Sequence, residues 1–355
     1  MQCVQQPASV QVVIPARNEQ DCIGRCLESL VSQQEITFQI TVVDDGSTDR
    51  TRAIAESFPG VRVMSASEPP PGVMGKCNAL MTGTRGATAE WLLLTDADTF
   101  HYPGSLATAV REAKEHGAQL LSYSPEQETG SLAELALLPV IFAELARTYS
   151  PQRVNDPTDP TAAVNGQYLL VYRQDYEELG GHGAVAGKVL EDVGLALIFK
   201  RSGRKLWFRQ GRGLVRTRMY RDFRSMREGW TKNLALLFPR PLHLAFTRTA
   251  EFVALPLALA VASALFLESR PALATEVFCL GVLCYAFFLA RIRKAHFPWQ
   301  ANLMAFLGLP LFVYLLWRSW FHSKVRHTVV WKGRTYTQSE PSAPLSSSIR
   351  KGSIS

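Results

Sequence analysis

Cysteine is scarce in this chain, and none of it stands in a spacing that would carry structure. The 6 cysteines show neither zinc-ligand spacing nor the framework of a secreted disulfide domain. Cys22 and Cys26 share a helical face, and Cys279 and Cys284 lie in an apolar run. A phosphate loop of the Gly-x-x-x-x-Gly-Lys-Ser/Thr kind is also missing, because Cys77 follows Gly75-Lys76 where a metal-binding hydroxyl would stand. Residues 1–9 are polar and lack the apolar core of a secretory leader, so a cytosolic first domain is expected. No internal repeat is present, and no groove-reading motif accompanies the basic residues, which argues against nucleic acid as a partner.

Charge is absent from three stretches, 252–267, 277–290 and 301–317, whereas the first 240 residues carry it evenly. The C-terminal third is therefore expected to be a membrane module. Each uncharged run is near or below the roughly 17 to 25 residues that span a bilayer. The net charge of +7 is concentrated at 200–248, just before the first run, where cations are worth about 1 kcal/mol each against an anionic leaflet and mark the cytoplasmic side. The expected division is a catalytic domain at 1–240, a module of two to three apolar helices at 241–325 and a basic, largely disordered tail at 326–355. The expected location is the inner cell membrane, multi-pass, with the catalytic domain cytoplasmic. Three complete spans would carry Lys324, Arg326, Lys332 and Arg334 outside, against the positive-inside tendency. One apolar segment is accordingly expected to be re-entrant or to lie along the interface.

Strand and helix patterns alternate through the first part. Strands are expected at 10–14, 40–43, 61–64, 91–95, 120–122 and 167–172, with helices between them, so the fold class is α/β with a mostly parallel sheet. Ser47 or Thr48 can cap the helix through Ile54 and Phe58. Residues 131–149 are apolar around most of the helix and read as a buried helix or as an interfacial one that guides a lipid. Residues 151–160 read as a polar, proline-bearing loop.

Three acidic clusters carry the chemistry: Asp44-Asp45-Gly46-Ser47-Thr48-Asp49, Asp96-Ala97-Asp98 and Glu191-Asp192. The first two follow buried-strand runs and fall at the strand C-terminal edge, where open α/β sheets bind ligands. Carboxylates gathered there repel one another and lose solvation unless a cation offsets the cost, which points to a divalent metal carrying a phosphorylated substrate. Hard oxygen donors favour Mg²⁺ or Mn²⁺. Pro15-Ala16-Arg17-Asn18-Glu19 after the first strand would set Glu19 beside the second strand's carboxylates, where both can accept hydrogen bonds from a base and a ribose. Ordinary turn and capping roles account for Gly46, Ser47 and Asp49 but not for two acids in tandem. Lys76, at a helix start facing the same edge, could neutralise a diphosphate.

With Ile14-Pro15-Ala16-Arg17-Asn18-Glu19, Val43-Asp44-Asp45-Gly46-Ser47-Thr48-Asp49, Gly75-Lys76, Asp96-Ala97-Asp98 and Glu191-Asp192 in this order, the chain resembles the family 2 inverting glycosyltransferases over roughly residues 10 to 235. The resemblance implies a GT-A fold, a Rossmann-like nucleotide-diphospho-sugar transferase domain, followed by membrane helices. It implies nucleotide-sugar contacts from Pro15, Arg17, Glu19, Asp44, Asp45, Lys76 and Asp96, metal binding by Asp98 with Asp96, and Asp192 as general base beside Glu191. A narrower likeness, carried by the stretch from Tyr176 through Gly180-Gly181-His182 to Glu191-Asp192-Val193, by Thr217-Arg218-Met219-Tyr220 and by Glu228-Gly229-x-x-Lys232-Asn233, is to bacterial membrane enzymes that glycosylate carotenoid acids or hopanoids, while Trp331-x-Gly333-Arg334-x-Tyr336 resembles a tail motif of lipid glucosyltransferases of this family. Trp230 and Lys232 are then candidates for the acceptor side, and His182 either orients the acceptor or is a turn histidine. The Gln-x-x-Arg-Trp of processive synthases is absent, since the stretch reads Arg227-Glu228-Gly229-Trp230. The implied reaction moves one sugar from a nucleotide sugar, with a UDP-sugar expected, to a lipid or isoprenoid acceptor at the membrane. A polyprenyl-phosphate sugar transferase shares the fold but normally lacks the Gly-Gly-His and Arg-Met-Tyr segments. A non-catalytic nucleotide-sugar sensor would not need both Asp98 and Asp192.

Overall fold

The computed structural model describes residues 9–326, 328–331 and 334–337. The polar start at 1–8 and the Ser- and Pro-rich stretch at 338–355, expected to be disordered, lie outside the described residues. Strand and helix alternate as β1 (Ser9–Ala16), α1 (Ile23–Val31), β2 (Thr37–Asp44), α2 (Thr51–Glu56), β3 (Val61–Ser65), α3 (Gly75–Thr84), β4 (Trp91–Thr95), β5 (Thr99–His101), α4 (Ser105–Glu115), β6 (Leu120–Ser124) and β7 (Glu126–Gln127). Then come α5 (Leu132–Thr148), α6 (Pro151–Asn155), β8 (Tyr168–Tyr172), α7 (Arg173–Glu178), α8 (Glu191–Arg201), β9 (Leu206–Gln210) and β10 (Val215–Thr217). The last elements are α9 (Phe223–Leu237), α10 (Pro241–Leu267), α11 (Pro271–Ile292), α12 (Trp299–Phe321) and a hairpin of β11 (Thr328–Trp331) and β12 (Arg334–Thr337).

These elements form two compact units, residues up to 128 with 151–219, and 129–150 with 220 onward. They divide the chain differently from a cut at 240. In the first unit a seven-stranded sheet runs β3-β2-β1-β4-β8-β6-β9. Its left side is parallel, and only β8 runs against its neighbours β4 and β6. All five residues of β4 are buried, as suits a central strand covered on both faces. Helix α3 comes so close to the sheet that a Cβ on Gly83 would collide with the side chains of Val13 and Val43, which leaves glycine as the fitting residue. Because β8 is antiparallel, its first residue Tyr168 is paired with Thr95, the last of β4. The turn that precedes β8 is thereby delivered to the edge where Asp96 and Asp98 stand.

Three local expectations change. Residues 151–160 are not loop throughout: Pro151 opens α6, its missing N–H costing nothing at a first helical position. Ser47 and Thr48 do not cap α2, which begins at Thr51 and takes a bond from the Thr51 N–H to Asp49 Oδ1 at 2.9 Å. The region 326–355 is not wholly tail, since its β-branched and aromatic residues at Thr328–Trp331 pair antiparallel with Arg334–Thr337.

In the second unit, α5 starts on a cap in which Ser131 Oγ accepts the Glu134 N–H at 3.2 Å and Glu134 Oε2 accepts the Gly130 N–H at 2.6 Å. It is a buried helix packed along α12, where a Cβ on Gly308 would strike the Ala136 carbonyl. The fully buried Glu144 is held by Arg248 Nε at 3.1 Å, Arg291 Nη1 at 2.5 Å and Arg147 Nε at 3.2 Å. Glu251 takes the same two arginines, Arg248 Nη1 at 2.7 Å and Arg291 Nη2 at 2.6 Å. One ionic network thus ties α5, α10 and α11, and each charge that burial strips of water has an opposite partner. Helices α10, α11 and α12 are each long and apolar enough to cross a membrane, with mean hydropathies of 2.1, 2.0 and 1.5. The uncharged runs alone underestimated these lengths.

Candidate active site

The ends of β1 and β2 lie side by side, with Pro15 level with Val43 and Ala16 with Asp44. Their loops are laced together. Asn18, at a positive φ of 54°, donates its N–H to Ser47 Oγ at 3.0 Å and accepts the Thr48 N–H through Oδ1 at 2.9 Å. Arg17 Nη1 donates to the Asp45 carbonyl at 2.6 Å, and the Glu19 N–H to Thr51 Oγ1 at 2.7 Å. Of the tandem acids, one has a local task. Asp44 Oδ1 accepts the Ser47 N–H at 3.1 Å and closes the turn, so a turn role does explain it; Asp45 is equally buried. Gly46 sits between this acid pair and Ser47 at a φ of 70°, a conformation that favours glycine.

Charge is concentrated one strand further on. Lys76 Nζ, at the start of α3, lies 2.7 Å from Asp96 Oδ1 and 3.3 Å from Glu191 Oε1. Burial works against its charge, but Asp96, Glu191 and Asp192 together hold the ammonium's pKa well above the usual lysine range. The structure therefore brings Lys76 to the second and third acidic clusters at once. Burial and the neighbouring Glu191 raise the Asp192 carboxyl to about 6, although Lys76 and two backbone N–H groups pull the other way. Those two donors are the N–H of Gly166 to Oδ2 at 3.0 Å and of Val193 to Oδ1 at 2.8 Å. Asp98 is fixed through its backbone, its carbonyl accepting from Thr217 Oγ1 at 3.2 Å. Burial, with the negative charge of Asp98, Asp96 and Glu19, pushes the Cys26 thiol far up, so Cys26 is no nucleophile.

The acceptor-side expectations fare differently. His182 is 2 % exposed, with Nδ1 2.8 Å from Tyr176 Oη and its N–H donating to the same oxygen at 3.1 Å. Burial lowers its pKa to about 4 and keeps it neutral, which makes it a turn and core histidine. Trp230, in α9 of the second unit, is also 2 % exposed, its ring in T-shaped contact with Tyr220 and Phe142. It offers no open face on which an acceptor could stack. Lys232 is part-exposed on the same helix.

Gly166 went unnoticed in the sequence. A Cβ there would lie 3.1 Å from Asp192 Oδ2 and 3.3 Å from Lys76 Nζ. Its signal was available only with the direction of β8, because a glycine before a parallel strand would stand at the opposite edge.

Residues 11–180 match the description Glycosyl transferase family 2. The chain is 30% identical over 236 residues to the 4,4'-diaponeurosporenoate glycosyltransferase of Staphylococcus aureus (strain USA300), covering 64% of this chain and 61% of that one. It thus spans about three fifths of the length of the curated relatives it matches. The protein of the same description from strain MRSA252 is 29% identical over the same length. Among solved structures, the mannosyltransferase PcManGT from Pyrobaculum calidifontis, in complex with GDP-Man and Mn²⁺, is similar with a TM-score of 0.53 at 19% identity, over 91% of this chain and 88% of that one. That likeness is one of fold, an α/β arrangement of the GT-A type.

Proposed function

We propose, from the premise that residues 11–180 are a glycosyl transferase family 2 domain, that the chain moves one sugar from a nucleotide sugar to a lipid acceptor with inversion at the anomeric carbon. The observation that carries this reading is the meeting of Lys76, Asp96, Glu191 and Asp192 at one sheet edge. Pro15, Glu19 and Asp45 would hold the nucleoside at the adjacent strand ends, with Arg17 and Asp44 shaping the loop around it. Lys76 would set its charge against the diphosphate. The carotenoid acid named for the S. aureus relative makes an apolar isoprenoid acid or alcohol the acceptor class to test first.

The residues present also fit a divalent ion. Asp96 and Asp98 supply hard oxygens, and Asp96 Oδ1 already takes a cation, the Lys76 ammonium. Among the described residues no group of three or more His, Cys, Asp or Glu side chains could hold a metal. An ion there would be held by one or two carboxylates together with substrate phosphates. Mg²⁺ or Mn²⁺ bound there would stabilise the charge on the departing diphosphate.

Asp192 serves as the base. The acceptor oxygen bonds to the anomeric carbon, the bond to the diphosphate breaks with its electron pair, and a hydroxyl acceptor's proton passes to an Asp192 oxygen. Such a base contributes roughly 10² to 10⁴ in rate. A carboxylate acceptor is already ionised and asks less of it. Incubating membranes that contain the protein with a panel of radiolabelled nucleotide sugars, then extracting lipid, tests the reading, and no label in lipid with any donor refutes it.

For the membrane unit, the reading is a crossing hairpin of α10 and α11 with α12 lying along the interface. The second half of α12 packs on α9: Ser319 Oγ accepts the Ala235 N–H at 2.8 Å, and Arg318 Nε donates to Thr231 Oγ1 at 3.2 Å. Helix α9 carries Arg224, Arg227, Glu228 and Lys232. A fully crossing α12 would draw these into hydrocarbon, at about 2.5–3.5 kcal/mol for each Lys or Arg.

A further inference from the structure

Asn165-Gly166-Gln167, the turn that enters β8, has no task in the reaction described so far, yet its hydrogen bonds run to both halves of the site. On one side the Gly166 N–H reaches Asp192 Oδ2 at 3.0 Å. On the other, the Gln167 carbonyl accepts from the hydroxyls of Thr95 at 2.7 Å and Thr99 at 3.3 Å, which flank the Asp96–Asp98 turn. Gln167 Nε2 donates to Thr217 Oγ1 at 3.1 Å, and that hydroxyl donates to the Asp98 carbonyl at 3.2 Å. The turn itself is closed by hydrogen bonds: Asn165 Oδ1 accepts the Gln167 N–H at 2.9 Å, and the Ser122 hydroxyl accepts the Asn165 N–H at 2.9 Å and donates to the Asn165 carbonyl at 3.2 Å.

Gly166 does not have a left-handed φ, so conformation is not what calls for glycine there. Space is. An added Cβ would stand 3.1 Å from Asp192 Oδ2, 3.3 Å from Asp192 Cβ and 3.3 Å from Lys76 Nζ, tighter than ordinary carbon contacts. We propose that this turn is the positioning device of the base: Gly166 aims the Asp192 carboxylate by a backbone hydrogen bond at close approach, and Gln167 fixes that aim relative to the turn bearing Asp96 and Asp98. Gly166 and Gln167 are positioning residues, acting through Asp192. The inference rests on the proposed role of Asp192 as base.

The test is Gly166→Ala in the full-length protein, beside wild type and Asp192→Asn. With a hydroxyl lipid acceptor, kcat falls about 10- to 100-fold, because a base displaced by even 1 Å loses most of its advantage. The added Cβ also crowds Lys76, so the donor KM rises as well, and the variants are compared at saturating donor. The groups facing Asp192 are Glu191, Lys76 and the N–H groups of Gly166 and Val193. Weakening of the hydrogen bond from the residue 166 N–H, which favours the ionised form, moves the acid limb of the pH profile to higher pH. The double variant Gly166→Ala/Asp192→Asn is no slower than Asp192→Asn alone. Wild-type kcat and pH profile in Gly166→Ala, or additive losses in the double variant, overturn the proposal. A second readout needs no turnover: the Asp192 carboxyl carbon, followed by ¹³C NMR and identified by its absence in Asp192→Asn, titrates at higher pH in Gly166→Ala. Should that variant fail to fold, Thr217→Val, which cuts the link from Gln167 to Asp98, is measured in its place with the same upward direction expected. An unmoved titration refutes the positioning device whatever the activity, whereas absence of glycosyl transfer by wild type refutes the transferase reading instead.

Discussion

In the proposed reaction Asp192 is the side chain on which the chemistry turns, and its environment makes the pH dependence predictable. A base must be ionised, and burial beside Glu191 lifts this carboxyl to about 6. Transfer to a hydroxyl lipid is therefore lost as pH falls through about 6 and reaches its plateau above; a rate independent of pH between 5 and 8 contradicts the assignment. Asp192→Asn should reduce that transfer by about 10² to 10⁴ yet spare a carboxylate acceptor far more. Equal loss with both acceptors rejects the base role. At this scale the acids themselves were legible, because a carboxylate after a buried strand has few other reasons to be there. What tied them together was not. Lys76 was visible as a lysine at a helix start facing the same edge, but the sequence held no hint that it bridges Asp96 and Glu191. Asp44 and Trp230 show the converse, since a turn bond and a covered ring are facts of packing that residue type does not reveal.

Among the elements, the β/α alternation was readable from hydrophobic period, and strand direction was not. An apolar run such as Tyr168–Tyr172 has the same pattern whichever way it runs, so the delivery of Gly166 to the carboxylate edge emerged only from the pairing of β8 with β4. The network around Glu144 was hidden for a related reason: Arg248, Glu251 and Arg291 lie more than 100 residues from it in sequence and read as flanking charges of apolar runs. Its energetics give a prediction. Glu144→Ala leaves Arg248 and Arg291 with Glu251 and should cost about 3–5 kcal/mol, as breaking a buried pair does. Unfolding of the detergent-solubilised protein measures this, and a change below about 1 kcal/mol would show that the network is solvated.

For the whole molecule, composition revealed a charge-bearing α/β part and an apolar part, but not that 129–150 is built into the latter. In α12, 44% of the most apolar window is buried in the protein, against 6% in α10 and 17% in α11. An interfacial α12 keeps the residues that follow it on the catalytic side. A single cysteine at position 342 of a cysteine-free variant should accordingly react with an impermeant maleimide only after cells are opened; labelling of intact cells would mean that α12 crosses. The proposed transfer of sugar from a nucleotide to a membrane lipid, with Asp192 as base, is read by following radiolabel from nucleotide sugars into extracted lipid, in membranes carrying wild type or Asp192→Asn, with hydroxyl and carboxylate isoprenoids supplied. Label is expected in lipid with at least one donor, and is lost with the hydroxyl acceptor in the variant. Label absent from lipid with every donor, or undiminished in Asp192→Asn with the hydroxyl acceptor, would contradict it.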